Sequence, residues 1–392
     1  MSPNVLMIGW ELPPFYSGGL GIACLGLIQA LNKKGAKITF VLPRKMDVKV
    51  DGINLIFADV NEKSSMVTSY TSSSEWLKLF SIDPFPPDFI QGAIEYAKKM
   101  YKIAKKQNAD IIHAHDWMTY PAAIVAKEVL GKPLVVHVHS TEYDRTGGHN
   151  PNPQVYAIEK EGLNCADVVI PVGGYMKDIL INNYSVPEEK IKVVYNGVDD
   201  DFKKDLPPAL TSFKELGYKI VLYLGRITLQ KGPEYFVWAA KRVSEYDSRV
   251  IFVVTGSGDM QDYMISEAAR LGILDKFLFT GFLRGDDRDR IFQAADLYVM
   301  PSVSEPFGLV ALEAIIRGTP VLVSKQSGVA EILKNALKVD FWDTEEMANK
   351  ILAVLRYHAL PSDLIKEGSK EIGQFSWSNS ADKVMGIYNL LI

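Results

Sequence analysis

Gly225-Arg226 and Lys231-Gly232 enclose a four-residue spacer directly after an apolar run, Ile220 to Leu224. Two fixed cations in a glycine-flanked turn at a strand's carboxyl end suit a diphosphate. Arginine can grip it through two parallel N–H bonds, while lysine acts as a point charge. The chemistry such a pair supports is leaving-group stabilisation, because it neutralises charge that develops as a bond to phosphate breaks. Taken alone, the two side chains also read as solvated surface charges, so the pair needs support from elsewhere in the chain.

That support lies in Pro301-Ser302-Val303-Ser304-Glu305-Pro306-Phe307-Gly308-Leu309-Val310-Ala311-Leu312-Glu313-Ala314. An apolar strand is expected to end at Met300, and a loop then carries Glu305 into a helix starting near Gly308. Backbone N–H groups at a helix start form an anion site suited to phosphate. Glu305 stands just outside that start and Glu313 one to two turns inside, where carboxylates can accept from sugar and ribose hydroxyls. The plain alternatives are helix-cap electrostatics for Glu305 and a solvated helix face for Glu313.

The run from Gly225 to Glu313 resembles the retaining GT-B glycosyltransferases, specifically the group that includes bacterial and archaeal glycogen synthases. The paired glutamates, with Pro-Phe-Gly-Leu after the first, match that group's E-x7-E signature. The resemblance implies that Arg226 and Lys231 bind the donor diphosphate and that Glu305 contacts the donor sugar. It implies that Gly308 and Leu309 offer backbone amides and that Glu313 holds the ribose. Gly256, in Thr255-Gly256-Ser257-Gly258, is expected to line the nucleotide pocket. Phe282 and Leu283 are expected beside the base.

The first half of the chain fits the same family. Ser17-Gly18-Gly19-Leu20-Gly21 separates an apolar run from an expected helix, so that Gly18 and Gly19 let backbone approach a phosphate. Glycogen synthases commonly carry lysine two residues before the first of these glycines, and this chain has Tyr16. His113-Ala114-His115-Asp116-Trp117 closes another strand. Two histidines at i and i+2 share a strand face, which makes a metal pair conceivable, but no third ligand stands at a convincing spacing. The motif resembles the family's H-x-H-D-W, which implies that Asp116 lines the site. The next strand delivers His139-Ser140-Thr141-Glu142, with His139 implied to touch the donor sugar. Glu11, Asp116 and Glu142 are the acceptor-side candidates. Each histidine taken alone reads better as a structural, hydrogen-bonded imidazole.

These residues need a scaffold that delivers strand ends repeatedly to one edge. Val5 to Gly9, a glycine-rich loop (Tyr16 to Gly21), a helix (Ile22 to Lys34) and Lys37 to Leu42 form a βαβ opening. Alternation continues through Ile111 to Ala114, Leu134 to Val138, Val168 to Pro171 and Lys190 to Tyr195. A second alternating block follows from Tyr218, with strands at Ile220 to Leu224, Val250 to Thr255, Phe277 to Thr280, Leu297 to Met300 and Pro320 to Ser324. The pattern predicts an α/β protein of GT-B type: two doubly wound, Rossmann-like parallel-sheet domains with a cleft between them. We place the acceptor-side domain at 1–200 and the nucleotide-sugar domain at 201–376. The last helix, 377–392, would cross back onto the first domain. Asn196 to Leu216 has linker composition, and residues 60–90 read as a long surface excursion.

The chain has 392 residues, long enough for two cores, with 47% hydrophobic and 23% charged residues. A net charge of −4 provides no basic field for nucleic acid or anionic membrane. Cys24 and Cys165 form no disulfide framework and read as two buried free thiols. There is no basic leader and no apolar run long enough to span a bilayer, so a cytoplasmic enzyme without integral membrane association is expected. No cofactor or metal is expected, because the Arg226–Lys231 pair does the electrostatic work of a divalent ion. The acidic triplet Asp199-Asp200-Asp201 falls in the linker.

The resulting expectation is a retaining, metal-independent hexosyltransferase. It would move glucose from UDP- or ADP-glucose to a glycan or other hydroxyl acceptor, in α-glucan synthesis of glycogen synthase type. A lipid, sugar-phosphate or cell-wall glycan acceptor is the alternative that Tyr16 leaves open. A nucleotide-sugar epimerase and a non-catalytic sugar-binding paralogue are the readings from other classes. The base, the hexose, the acceptor and the oligomeric state are not encoded in recognisable motifs.

Overall fold

The structure is a computed structural model that describes residues 2–15, 18–60, 88–198 and 208–392. Tyr16, Ser17, most of the 60–90 excursion and the triplet Asp199-Asp200-Asp201 lie outside those residues. The chain divides into two compact units, Met1–Gly197 with Phe375–Ile392, and Val198–Gln374.

In the first unit, β1 (Asn4–Ile8), β2 (Lys37–Leu42), β3 (Asn54–Phe57), β4 (Ile111–His115), β5 (Leu134–Val138) and β6 (Val168–Pro171) form one sheet. Their spatial order is β3-β2-β1-β4-β5-β6, and each pairing is parallel. β4 and β5 are buried at every position, as strands covered on both faces must be. The order reverses direction between β1 and β4. In such sheets ligands bind outside the carboxyl ends at that switch point. The final helix, Trp377–Leu391, belongs to this unit. Its N-cap Ser376 accepts from the Asn379 N–H, and Ser380 donates to the Tyr195 carbonyl at 2.7 Å. Gly26 on helix Gly19–Lys33 lies so close to the Trp377 indole that a Cβ there would overlap the ring.

The second unit repeats the plan with β7 (Lys219–Leu224), β8 (Val250–Thr255), β9 (Phe277–Gly281), β10 (Leu297–Met300), β11 (Val321–Ser324) and β12 (Leu337–Val339). The order is β12-β11-β10-β7-β8-β9, again parallel. The switch point therefore falls between β7 and β10. Phe236, Phe252 and Phe277 pack as a ring cluster beneath β7 and β8, with centroids 5.3–6.2 Å apart. Among the described residues no helix is long and apolar enough to cross a membrane.

Several expected elements differ. The first helix begins at Gly19, not Ile22, so Gly19 to Gly21 are its first turn and not a loop. The cause is local: the Glu11 carboxylate accepts the Gly21 N–H at 3.2 Å and satisfies a donor that a helix start leaves open. Lys190 to Tyr195 is not a strand. It follows a 3-10 turn, Glu188–Lys190, and keeps one bridge, Val169↔Ile191. Helix Pro208–Glu215 lies inside the expected linker. The edge strands β3 and β12 were not anticipated, being only four and three residues long and mostly half-buried. Cys165 is partly exposed, whereas Cys24 is buried as expected.

Candidate active site

In the second unit, the turn after β7 and the loop after β10 meet. Gly225, with φ of 158°, follows the last residue of β7, and Arg226 comes next. The Arg226 Nη2 donates to the Gln230 Oε1 at 3.1 Å, while the Tyr223 hydroxyl donates to the Arg226 carbonyl at 2.9 Å. Lys231 pairs directly with the Glu305 carboxylate, and Ser302 Oγ approaches the same oxygen at 3.5 Å. Glu305 is fixed through its backbone as well, its N–H on the Gln326 carbonyl and its own carbonyl accepting from Gly328.

Helix Leu309–Ile316 then starts from Gly308, whose φ of 104° an L-residue rarely adopts. Among the described residues no side chain caps that start, so the N–H groups there keep their electropositive end for a ligand. Glu313 is 7% exposed and accepts from the Arg288 guanidinium at 3.0 Å, which rules out the solvated-face reading. Gly256 plays a packing part. Its N–H donates to the Gly281 carbonyl at 2.9 Å, and a Cβ would collide with the Gly225 carbonyl. Phe282 stands exposed beyond β9 under the Arg284 guanidinium, and Leu283 beside it is half-buried.

The first unit gathers different chemistry at its own switch point. Gly18 is extended at the start of helix Gly19–Lys33, and a Cβ on Gly19 would meet nothing within 4 Å. Among the described residues, packing does not require glycine at position 19, and the space beside it stays open. Asp116 follows β4 with φ of 59°, a conformation that costs a non-glycine residue about 1–3 kcal/mol. Its Oδ1 accepts the N–H groups of His139 at 2.7 Å and Ser140 at 3.3 Å, while Oδ2 is buried with no hydrogen-bond partner among the described residues. Burial raises the Asp116 carboxyl to about 7, against the pull of those two N–H groups.

Register explains the histidines. β4 and β5 place His115 opposite His137, so His113, His115, His137 and His139 share one face. Their rings stack with centroids 4.5–5.4 Å apart. His139 Nε2 lies 3.0 Å from His115 Nδ1, and His113 Nδ1 meets the Tyr388 hydroxyl of the final helix. Burial drives His113, His115 and His137 well below the ordinary histidine range, reinforced by neighbouring rings, and takes His139 down to about 3. All four are neutral imidazoles near pH 7.

The third nitrogen ligand that strand spacing lacked is present. Nitrogens of His113, His115 and His137 lie within 4.8 Å of one another, as do the ligand atoms of Cys24, His115 and His139. The histidine triad's ring planes are tilted by only 5–22°, so their in-plane lone pairs run side by side and do not converge. Burial also raises the Cys24 thiol, disfavouring the thiolate that would bind a metal.

Glu142 opens a short helix, Glu142–Arg145, and its carboxylate is occupied. Oε2 accepts from Arg145 at 3.0 Å and Oε1 from the Asn152 N–H at 3.2 Å. Arg145 also donates to Glu159 at 2.7 Å and Ser140 at 2.9 Å, and Glu159 accepts from the Tyr184 hydroxyl. Burial would weaken the Arg145 charge, but Glu159 and Glu142 outweigh it. Glu159 itself is raised by burial to about 7.

Comparison with known proteins decides the family. Residues 211–371 match the model for "Glycosyl transferases group 1", and residues 17–202 match "Glycosyltransferase Family 4". An uncharacterised glycosyltransferase of Methanocaldococcus jannaschii is 31% identical, over 99% of this chain and 98% of its own. The chain belongs to the group 1 glycosyltransferases. A glycogen synthase of Mycobacterium tuberculosis is 28% identical over 85% of this chain and 80% of that enzyme. Among solved structures, the Anabaena HepE protein in complex with UDP and glucose superposes with a TM-score of 0.76, at 19% identity and covering 99% and 100% of the two chains. The fold of this glycosyltransferase is the GT-B fold.

Within the glycosyltransferase, Arg226, Lys231, Glu305, Gly308, Leu309 and Glu313 converge around one switch point in the second unit. Glu11, Gly18, Gly19, Asp116 and His139 gather around the corresponding one in the first. Glu142 is drawn instead into the Arg145 network, and the Gly256 N–H is committed to Gly281. Motif reading missed Gln230, Arg288, His137, Arg145 and Glu159. His137 carried a signal, since His137-Val138-His139 repeats the H-x-H of β4 one strand later. Arg288 carried none, because nothing in its spacing ties it to Glu313.

Proposed function

We propose that this glycosyltransferase is a retaining hexosyltransferase that moves glucose from UDP- or ADP-glucose to the hydroxyl of an α-glucan. The observation that carries the reading is the second unit's switch point. There Arg226 and Lys231 end one strand, and Glu305, an uncapped helix start and Glu313 follow its neighbour. The similarity to a glycogen synthase and to a fold that holds UDP and glucose supports the choice of donor and acceptor.

In this reading Arg226 and Lys231 neutralise the departing diphosphate, the amides at Gly308 and Leu309 receive a phosphate or sugar oxygen, and Glu313 accepts from the ribose. Phe282 and Leu283 lie against the base. Glu305 orients the sugar. Its commitment to Lys231 and Ser302 makes it a poor nucleophile, which favours front-face attack: the acceptor oxygen bonds to the anomeric carbon as the bond to phosphate breaks, and the acceptor proton passes to the leaving phosphate. Neutral His139 and Asp116 are suited to hydroxyls, not to phosphate. Two cations in place of a divalent ion make the reaction metal-independent, and activity should persist in EDTA.

The test is transfer from UDP- and ADP-glucose to maltooligosaccharides, with the anomeric configuration of the product read by NMR. An α-linked extension supports the proposal. A β-linked product, or a new sugar epimer formed without acceptor, overturns it. Tyr16, standing where glycogen synthases commonly carry lysine, favours as a second reading a smaller acceptor such as a sugar phosphate. Transfer to hexose and polyol phosphates but not to glucan would select it.

A further inference from the structure

We propose that Gln230 is a positioning residue that joins the cation turn to the carboxylate loop and holds Arg226 ready for the donor. The proposal rests on the donor reading of Arg226, Lys231 and Glu305.

The ladder between β7 and β10 consists of Leu297↔Val221 and Tyr298↔Leu222. Over their last residues, where the site begins, the two strands are joined to each other, among the described residues, only by the Tyr298 hydroxyl on the Leu224 carbonyl at 3.2 Å. Something else has to fix the two loops to each other. Three consecutive residues do so. The Gln230 carbonyl accepts the Val303 N–H at 2.9 Å and lies 3.5 Å from the Ser304 N–H. Lys231 pairs with Glu305. Gly232, with φ of 62°, packs so tightly on the Pro301 carbonyl that a Cβ would collide with it.

Gln230 is set apart by what its side chain does. It is 3% exposed although it lies between two cations in a surface turn, Leu229–Lys231. A buried amide needs partners, and its Oε1 takes one N–H of Arg226 at 3.1 Å. Arginine offers five N–H donors in a rigid fork, and the bond to Gln230 uses a single one of them. One residue therefore locks the loop geometry through its backbone and the arginine rotamer through its side chain. Preorganising a long side chain removes an ordering cost that would otherwise fall on binding and on the transition state.

The experiment is a steady-state kinetic cycle over Gln230→Leu, Gln230→Glu, Arg226→Ala and Gln230→Leu with Arg226→Ala, with melting temperatures measured alongside. Gln230→Leu keeps the backbone bonds and removes the acceptor oxygen. It should lower kcat/KM about tenfold, the scale of one untethered side chain, with the melting temperature nearly unchanged. Gln230→Glu restores an acceptor and should recover most activity. In the Arg226→Ala background Gln230→Leu should have no further effect. Wild-type kinetics for Gln230→Leu, or an undiminished loss in the Arg226→Ala background, would overturn the proposal. Should Gln230→Leu fold poorly, Gln230→Met keeps the length without the oxygen and reads the same contrast. Failure of the donor reading itself would show separately, as an Arg226→Ala enzyme with wild-type turnover.

Discussion

Among the residues that follow β4 and β5 in the first unit, Asp116 is a desolvated carboxyl, His139 is a neutral imidazole, and Arg145 is buried in ion pairs with Glu142 and Glu159. Those that follow β7 and β10 in the second are cations and carboxylates in ion pairs. Both sheets share the doubly wound strand order, so topology alone does not make the difference. It lies in solvent and neighbours. Lys231 and Glu305 keep side-chain exposures of 20% and 11%, and Arg288 and Glu313 keep 21% and 9%, so each cation stays partly open to solvent while its carboxylate partner is largely covered. The histidines are sealed between strands and the final helix, where a charged form is too costly to populate. A parallel sheet supplies the same delivery point twice. In the proposed reading, the side chains placed there suit one edge to phosphate and the other to uncharged hydroxyls.

The largest effect that could break this contrast concerns the cations. Arg226→Ala or Lys231→Ala should lower kcat/KM by roughly 10²–10³, the scale of losing one preorganised transition-state contact, with the melting temperature within a few degrees of wild type. Near wild-type turnover would mean the second unit's edge is not built for a charged leaving group. Next comes Glu313→Gln, which removes the charged acceptor proposed to hold the ribose. Donor KM should rise roughly 10- to 100-fold while kcat changes little. An equal loss in both constants would move Glu313 into the chemical step.

How much of this was legible divides along the same line. The cation pair, the E-x7-E spacing and the glycines announced the second site because each residue type is unusual where it stands. The α/β alternation gave both sheets, save the short edges β3 and β12. What spacing could not give were contacts set by register and tertiary approach. The His115 to His137 pairing, Arg288 on Glu313 and the Gln230 carbonyl on the Val303 N–H join residues from elements whose alignment no local pattern encodes. Glu142 looked available from its place after β5, and the neighbouring Arg145 was the overlooked reason it is not.

Acid sharpens the comparison. The folded pKa values of His113, His115, His137 and His139 are depressed, so below about pH 6.5 the unfolded chain takes up protons that the folded chain refuses. Stability from these rings is complete above that pH and falls as pH drops, for His139 until about 3. Asp116 and Glu159, raised to about 7, act in the opposite sense, their contribution present at low pH and lost as pH rises through 7. Four rings against two carboxyls predict net acid destabilisation. Hydrogen exchange between pH 6.5 and 4.5 should show β4 and β5 losing protection before β7 and β8. Simultaneous loss would remove the electrostatic distinction. The smallest effect separates the two glycine sites. Gly308→Ala should destabilise by about 1–3 kcal/mol through its positive φ and the nearby Val329, whereas Gly19→Ala should leave stability equal or slightly higher. Urea melts of the two variants measure the difference.

The central claim is that the ends of β7 and β10 are a diphosphate grip. Calorimetric titration of wild type and Arg226→Ala with UDP, ADP, UMP and AMP tests it most directly. The account predicts that at least one diphosphate binds wild type and is weakened about tenfold or more by the substitution, while its monophosphate changes far less. Equal diphosphate affinity in the two proteins would contradict it.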